Sequence, residues 1–172
     1  MPLPLAHGLV GAGIIAALHP QPLRHRGLPL LFGAILANCA DLDFGLVLLT
    51  HDKSWHRGFT HSLAFSLLLI VTAPAVWGGA HLWRVSAYGA CYASHGLLDY
   101  STTKLGGGVE LLWPAARGRY GLGLWGLSEL PSRLPPAEVL RWLGVEFLIF
   151  APPLLALLLL RRSRAKTPRR PA

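Results

Sequence analysis

The chain has 172 residues, 52% of them apolar and only 14% charged, with a mean hydropathy of +0.44 and a formal net charge of +8. One domain fits that length, and the composition argues against a disordered chain and against an ordinary water-soluble domain, in which charged residues run near a quarter. A bilayer is the favoured place to bury so much apolar surface.

In chain order, Leu5 to Leu18 is apolar but short for a membrane span, and neither a preceding Lys or Arg nor a small-residue cleavage site marks it as a removable leader. After the Arg24-His25-Arg26 turn, Leu28 to about Thr50 has spanning length, although it carries Asp41 and Asp43. Thr60 to Gly78 lies in a long stretch free of Asp, Glu, Lys and Arg and is the safest transmembrane assignment. Leu82 to Tyr100 and Trp142 to Leu160 are long enough but contain ionisable residues. Between these last two, Ser101 to Glu138 is rich in Gly and Pro with Trp113, Tyr120 and Trp125 interspersed. Such a segment suits the membrane interface, either as a plain surface loop or as the cover of a site. The expected fold is therefore an all-α integral membrane protein of about five transmembrane helices, with an interfacial loop between the fourth and fifth.

Charge placement divides the chain into a helical domain, residues 1–160, and a basic tail, residues 161–172, which holds six of the sixteen Lys and Arg. A basic patch for nucleic acid would have to sit on a folded face, so no nucleic-acid partner is expected. The tail instead fits a cytoplasmic anchor at an anionic leaflet, and five crossings then put the N-terminus outside. Lys53, Arg57, Lys104, Arg117 and Arg119 oppose that orientation, since they fall on the outer side. Cys39 and Cys91 lie in apolar stretches without a spacing pattern and read as small buried side chains.

All four aspartates and five of the eight histidines (His7, His51, His56, His61 and His95) lie in or beside the proposed helices. Ionisable groups there are costly unless they pair, bind a metal or face water. In an up-down bundle His7, Asp41 and Asp43, His56 and His61, and His95 and Asp99 all fall at the same membrane side, where a divalent cation such as zinc or manganese could gather them. The i,i+4 spacing of His95 and Asp99 leaves them neighbours on one helix face, as joint ligands or as a metal-free hydrogen-bonded pair. His56 and His61 reach one point only if His56 precedes the helix, which Thr60 as N-cap would allow. Asp41 and Asp43 point apart on a regular helix, so either the helix breaks there, as flanking Asn38 and Gly45 make credible, or only one is a ligand. His7 is a ligand or an interfacial histidine. His19, His25 and His81 read as surface residues, and His51 and Asp52 as solvated loop residues.

His7, Ala40-Asp41-Leu42-Asp43, His56-Arg57-Gly58-Phe59-Thr60-His61-Ser62, Ser94-His95-Gly96-Leu97-Leu98-Asp99 and Leu111-Leu112-Trp113-Pro114 together resemble the YdjM-type inner-membrane proteins, described as metal-dependent hydrolases and also labelled LexA-binding. The resemblance covers about two thirds of the chain, and Ala40 stands where that family usually has proline. It implies a multi-pass protein of the bacterial inner membrane, a metal centre of His56, His61, His95 and Asp99 with the aspartate pair, and hydrolysis. It supplies no substrate, and no LexA-binding surface maps onto these residues.

A metal-activated water, with Asp43 as the base and Arg57 stabilising developing negative charge, would act on an ester or phosphoester of an amphiphilic substrate drawn from membrane lipid. The alternatives are a proton or metal path, which would need ionisable groups in both halves of the bilayer, and a scaffold tied together by a structural metal.

Overall fold

A computed structural model describes residues 2–19, 27–77, 82–103, 107–124 and 135–166. The Arg24-His25-Arg26 turn, His81, Lys104, Trp125 and residues 167–172 of the tail lie outside the described residues. The described part is helical: α1 spans Pro4–Leu18, α2 Gly27–Leu36, α3 Phe44–Thr50, α4 Leu63–Trp77, α5 Leu82–Thr102 and α6 Pro136–Lys166. Among the described residues the β pairing amounts to one antiparallel bridge, Val109 to Tyr120.

The proposed second helix is broken. A 3-10 turn, Cys39–Asp43, separates α2 from α3, and the two halves meet at 46°. Asn38 sits at the break, its side-chain amide donating back to the Ala34 carbonyl (2.8 Å). The expected third helix begins at Leu63 rather than Thr60, preceded by two 3-10 turns, Lys53–Trp55 and Phe59–His61. Its N-cap is Ser62, not Thr60: the Ser62 hydroxyl accepts from the Phe65 N–H at 3.0 Å, the exchange that satisfies an orphan donor of a first turn.

Among the described residues one helix, Pro136–Ser163, is long and apolar enough to cross a membrane, and up to three spans result if each bent pair is counted as one. Five spans are thus more than length and composition alone deliver, because α1 is short and α5 carries Arg84, His95 and Asp99.

Small residues set the core. A Cβ on Gly11 would collide with the Gly33 carbonyl and come within 2.6 Å of the Ala37 methyl, so α1 and α2 meet backbone to backbone. The Cys91 thiol of α5 donates to the Gly11 carbonyl (3.3 Å), and Ile15, Ala37, Ala87 and Cys91 form the buried cluster. Both cysteines are free, Cys91 buried and Cys39 partly so.

α6 lies along α1 in the same direction and holds it at both ends. Glu146, fully buried, accepts from the Leu3 N–H (2.6 Å) and the Ala6 N–H (3.3 Å), while the Arg161 guanidinium donates to the Ala17 and His19 carbonyls. A carboxylate at the N-terminus and a cation at the C-terminus both complement the helix dipole. His19, at the end of α1, packs edge-on against Trp83 rather than standing free at the surface.

Candidate metal centre

Four elements deliver the site. α1 brings His7, the 3-10 turn after α2 brings Asp41 and Asp43, the segment before α4 brings His56, Arg57, Thr60 and His61, and α5 brings His95 and Asp99. A 3-10 turn advances about 120° per residue, so side chains two apart diverge less than on an α-helix. Both aspartates consequently turn toward the site: Asp41 Oδ1 lies 3.3 Å from His95 Nε2 and 3.5 Å from His61 Nε2, and Asp43 contacts His56 and His61. α5 comes against the His61 turn where it has no side chain, at Gly96, since a Cβ there would overlap the His61 carbonyl.

The partners behind the imidazoles fix which nitrogen faces inward. His95 Nδ1 lies 2.6 Å from the Ala37 carbonyl oxygen, which can only accept, so in the neutral ring Nδ1 carries the proton and Nε2 is the ligand atom. His61 Nδ1 faces Asp43 Oδ2 (3.3 Å) and the Thr60 hydroxyl (3.1 Å), and Thr60 donates to the same carboxylate oxygen (3.0 Å). The His61 proton is therefore assigned to Nδ1 as well, leaving Nε2 to face the cluster.

Those two nitrogens meet two carboxylate oxygens. Asp99 Oδ2 is 3.8 Å from His61 Nε2 and 3.9 Å from His95 Nε2, and Asp41 Oδ1 completes the set at the distances above. All four atoms are buried without a hydrogen-bond partner. With both rings neutral, two lone-pair nitrogens and two anionic oxygens would repel one another with no proton among them, and a shared cation would give each the partner that burial demands. Donors at about 2.0–2.2 Å from a tetrahedral ion sit roughly 3.3–3.6 Å apart, close to the observed separations. The residues fit a divalent cation.

His7 stands against this set, with its ring stacked on His95 (centroids 3.8 Å apart) and its Nε2 3.5 Å from Asp99 Oδ1. The ligand-capable side chains fall into two groups, His7 with His95 and Asp99, and Asp41 with His56 and His61, each with donor atoms within 4.8 Å. His56 stacks on Phe44 and turns its Nδ1 to Asp43 Oδ1 at 3.0 Å. Asp43, placed by the sequence as an uncommitted base, has both oxygens engaged, since it also accepts the Arg57 N–H (3.0 Å). Arg57 adopts a left-handed backbone (φ 61°), and its Nε lies 3.9 Å from Asp99 Oδ2.

His51 and Asp52 are exposed, away from the cluster. Asp52 caps a 3-10 turn by accepting from the Ser54 N–H (2.8 Å), which holds its carboxyl below the usual carboxylate range. The segment 107–124 is tied to the chain beside the site: Glu110 N–H donates to the Arg57 carbonyl and Leu63 N–H to the Leu111 carbonyl (both 3.0 Å). Glu146, Ser62 and the Ala37 carbonyl were not singled out from sequence. Only Glu146 carried a signal, an acidic residue inside an apolar span.

Fold and site together define a helical membrane protein with a buried histidine–carboxylate cluster suited to a divalent cation. The chain belongs to the YdjM inner membrane protein family, which it matches over residues 1–165. It is also 34% identical over 128 residues to the inner membrane protein YbcI of Escherichia coli (strain K12), an alignment covering 70% of this chain and 72% of that one. No solved structure matches it.

Proposed function

We propose that the protein is a multi-pass, metal-dependent hydrolase of the bacterial inner membrane that cleaves an ester or phosphoester of an amphiphilic substrate. The supporting observation is the convergence of His61 Nε2, His95 Nε2, Asp41 Oδ1 and Asp99 Oδ2, all buried and unpartnered. Imidazole and carboxylate suit zinc first and manganese second. The ion, when bound, supplies Lewis acidity and lowers the pKa of a coordinated water.

The chain's own residues do the rest. Asp43 holds the His61 ring, and with it the Nε2 lone pair, in place; having four donors around it, it is an orienting group and not the base. Asp41 would hold the ion through Oδ1, and its side chain is 18% exposed against none for Asp43 and Asp99, so its other oxygen is the carboxylate atom placed to take a proton. Arg57 brings positive charge to the cluster beside Asp99, with its Nε 3.9 Å from Oδ2. Five crossings follow if α1, the α2–α3 pair, α4 with its preceding turns, α5 and α6 each traverse the bilayer. Glu146 lies beside the start of α1, near His7, so the buried ionisable groups among the described residues crowd one end, which favours hydrolysis over a conducting path.

The test is the metal content of detergent-purified protein, wild type against His61→Ala and His95→Ala, followed by a screen of phosphoester and ester release by the loaded protein. Stoichiometric metal in wild type, lost in both variants, with product release is expected. Equal, near-zero metal in all three would overturn the reading.

A further inference from the structure

Two apolar grooves flank the turn that carries Asp41 and Asp43. One, of about 650 Å³, runs between α1, α2 and α6 past Leu9, Leu31, Ile35 and Leu154. The other, of about 360 Å³, lies between α2, α3 and α4 along Leu46, Phe65 and Leu69 and reaches Asp43 and Thr60. Leu36, Leu69 and Tyr92 continue this second groove into a further cavity of about 230 Å³, which extends along α4 to Ala73. From Phe65 to Ala73 α4 rises about 12 Å, so the groove descends from the site into the apolar layer. Cys39 and Leu42 line both grooves, which therefore meet at the 3-10 turn.

We propose that the substrate is a two-chain phospholipid that straddles this turn, one acyl chain in each groove and the phosphate at the Asp41–His56–Arg57 edge. The assignment rests on the hydrolase reading and names its substrate class. Three features commit the grooves to this occupant. They are apolar, and they diverge from a single point. That point is the 3-10 turn at Cys39 and Leu42, next in the chain to Asp41, and the second groove reaches Asp43, which is bonded to the His56 ring and the Arg57 N–H; the side chains of Asp41, His56 and Arg57 there are 18%, 17% and 13% exposed. A phosphodiester meets there the guanidinium of Arg57 and the cation the cluster is built to hold, whereas a single-chain amphiphile leaves one groove unfilled.

The experiment uses the full-length, metal-treated protein in nanodiscs containing a diether phosphatidylglycerol, whose chains stay attached to the glycerol under either ester or phosphoester hydrolysis, with a photoreactive diazirine in both chains. Adducts are mapped by peptide mass spectrometry in wild type, Ile35→Trp and Leu69→Trp. Both substituted residues are exposed enough for the fold to accept a larger ring, and unchanged metal content of each variant confirms that it has folded. Adducts concentrated in both grooves are expected, with Ile35→Trp losing those of the first and Leu69→Trp those of the second. Adducts on exposed α6 residues such as Leu148 should stay constant. Adducts in one groove only, or spread as on α6 and indifferent to both substitutions, overturn the assignment. Metal measured on the same samples separates the two readings. Loaded metal with uniform adducts overturns the lipid site alone, while absent metal with groove adducts overturns the hydrolase and supports the lipid site.

Discussion

Asp43 receives the His56 ring, the Arg57 N–H and the Thr60 hydroxyl, and lies beside His61 Nδ1, all while fully buried. Replacing it by Asn keeps the shape but turns an amide NH₂ toward donors and removes the charge that sets the His61 tautomer. Asp43→Asn should weaken metal binding by about 10–100-fold, as losses of a carboxylate behind a metal-binding histidine do. Chelator competition on purified protein measures it, and an affinity equal to wild type would show that Asp43 is not the orienting group. The gathering of His7, Asp41, His56, His61, His95 and Asp99 was legible in the sequence because each is too costly in an apolar chain without a common reason. Their division of labour was not. Whether an aspartate ligates or orients depends on which atoms lie behind it, and neighbours such as Thr60 and the Ala37 carbonyl have no sequence signature. Thr60 and Ser62 are equally good caps by composition. The pull of Asp43 on the Thr60 hydroxyl leaves Ser62 to start α4.

At the scale of elements, α1 and α6 are matched in length. Glu146 and Arg161 are separated along α6 by about the 15 residues that α1 contains, so one side chain reaches each end of it. His7 lies one residue beyond Ala6, whose N–H the Glu146 carboxylate holds, so the clamp also positions His7 at the cluster. Glu146→Gln cannot accept with both atoms and leaves a buried donor facing a donor, a loss of about 1–3 kcal/mol. The variant should melt earlier than wild type in detergent while α6 stays helical, and an unchanged melting point would deny the clamp. Helix existence was readable from apolar run length, and α1 and α5 come close to their expected bounds. The two bends were harder to read. Proline is the usual cause of such a break, and Ala40 replaces it here, so the chain bends through the 3-10 turn that follows Asn38.

At the scale of the whole molecule, orientation turns on which charges are free to follow the positive-inside rule. The basic residues that oppose a cytoplasmic C-terminus are partly accounted for within the fold. Arg119 pairs with Glu110 (3.6 Å) and donates to the Ser54 carbonyl (2.6 Å), and Arg57 faces Asp99. Arg161 is also engaged, on the end of α1, but Arg162, Arg164 and Lys166 follow it within one turn or so, and Arg169 and Arg170 come soon after. A cluster that dense near the end of the clearest span outweighs the two exposed charges, Lys53 and Arg117, described on the opposite side. The C-terminus is therefore expected inside and the rim of the metal cluster toward the outer face. In a background with Cys39→Ala and Cys91→Ala, a cysteine at exposed Ser54 should react with a membrane-impermeant maleimide in spheroplasts. One placed at Ser163 should react only after the membrane is permeabilised. The reverse pattern would invert the topology and move the lipid headgroup that the site addresses to the cytoplasmic leaflet, leaving the geometry of the cluster untouched.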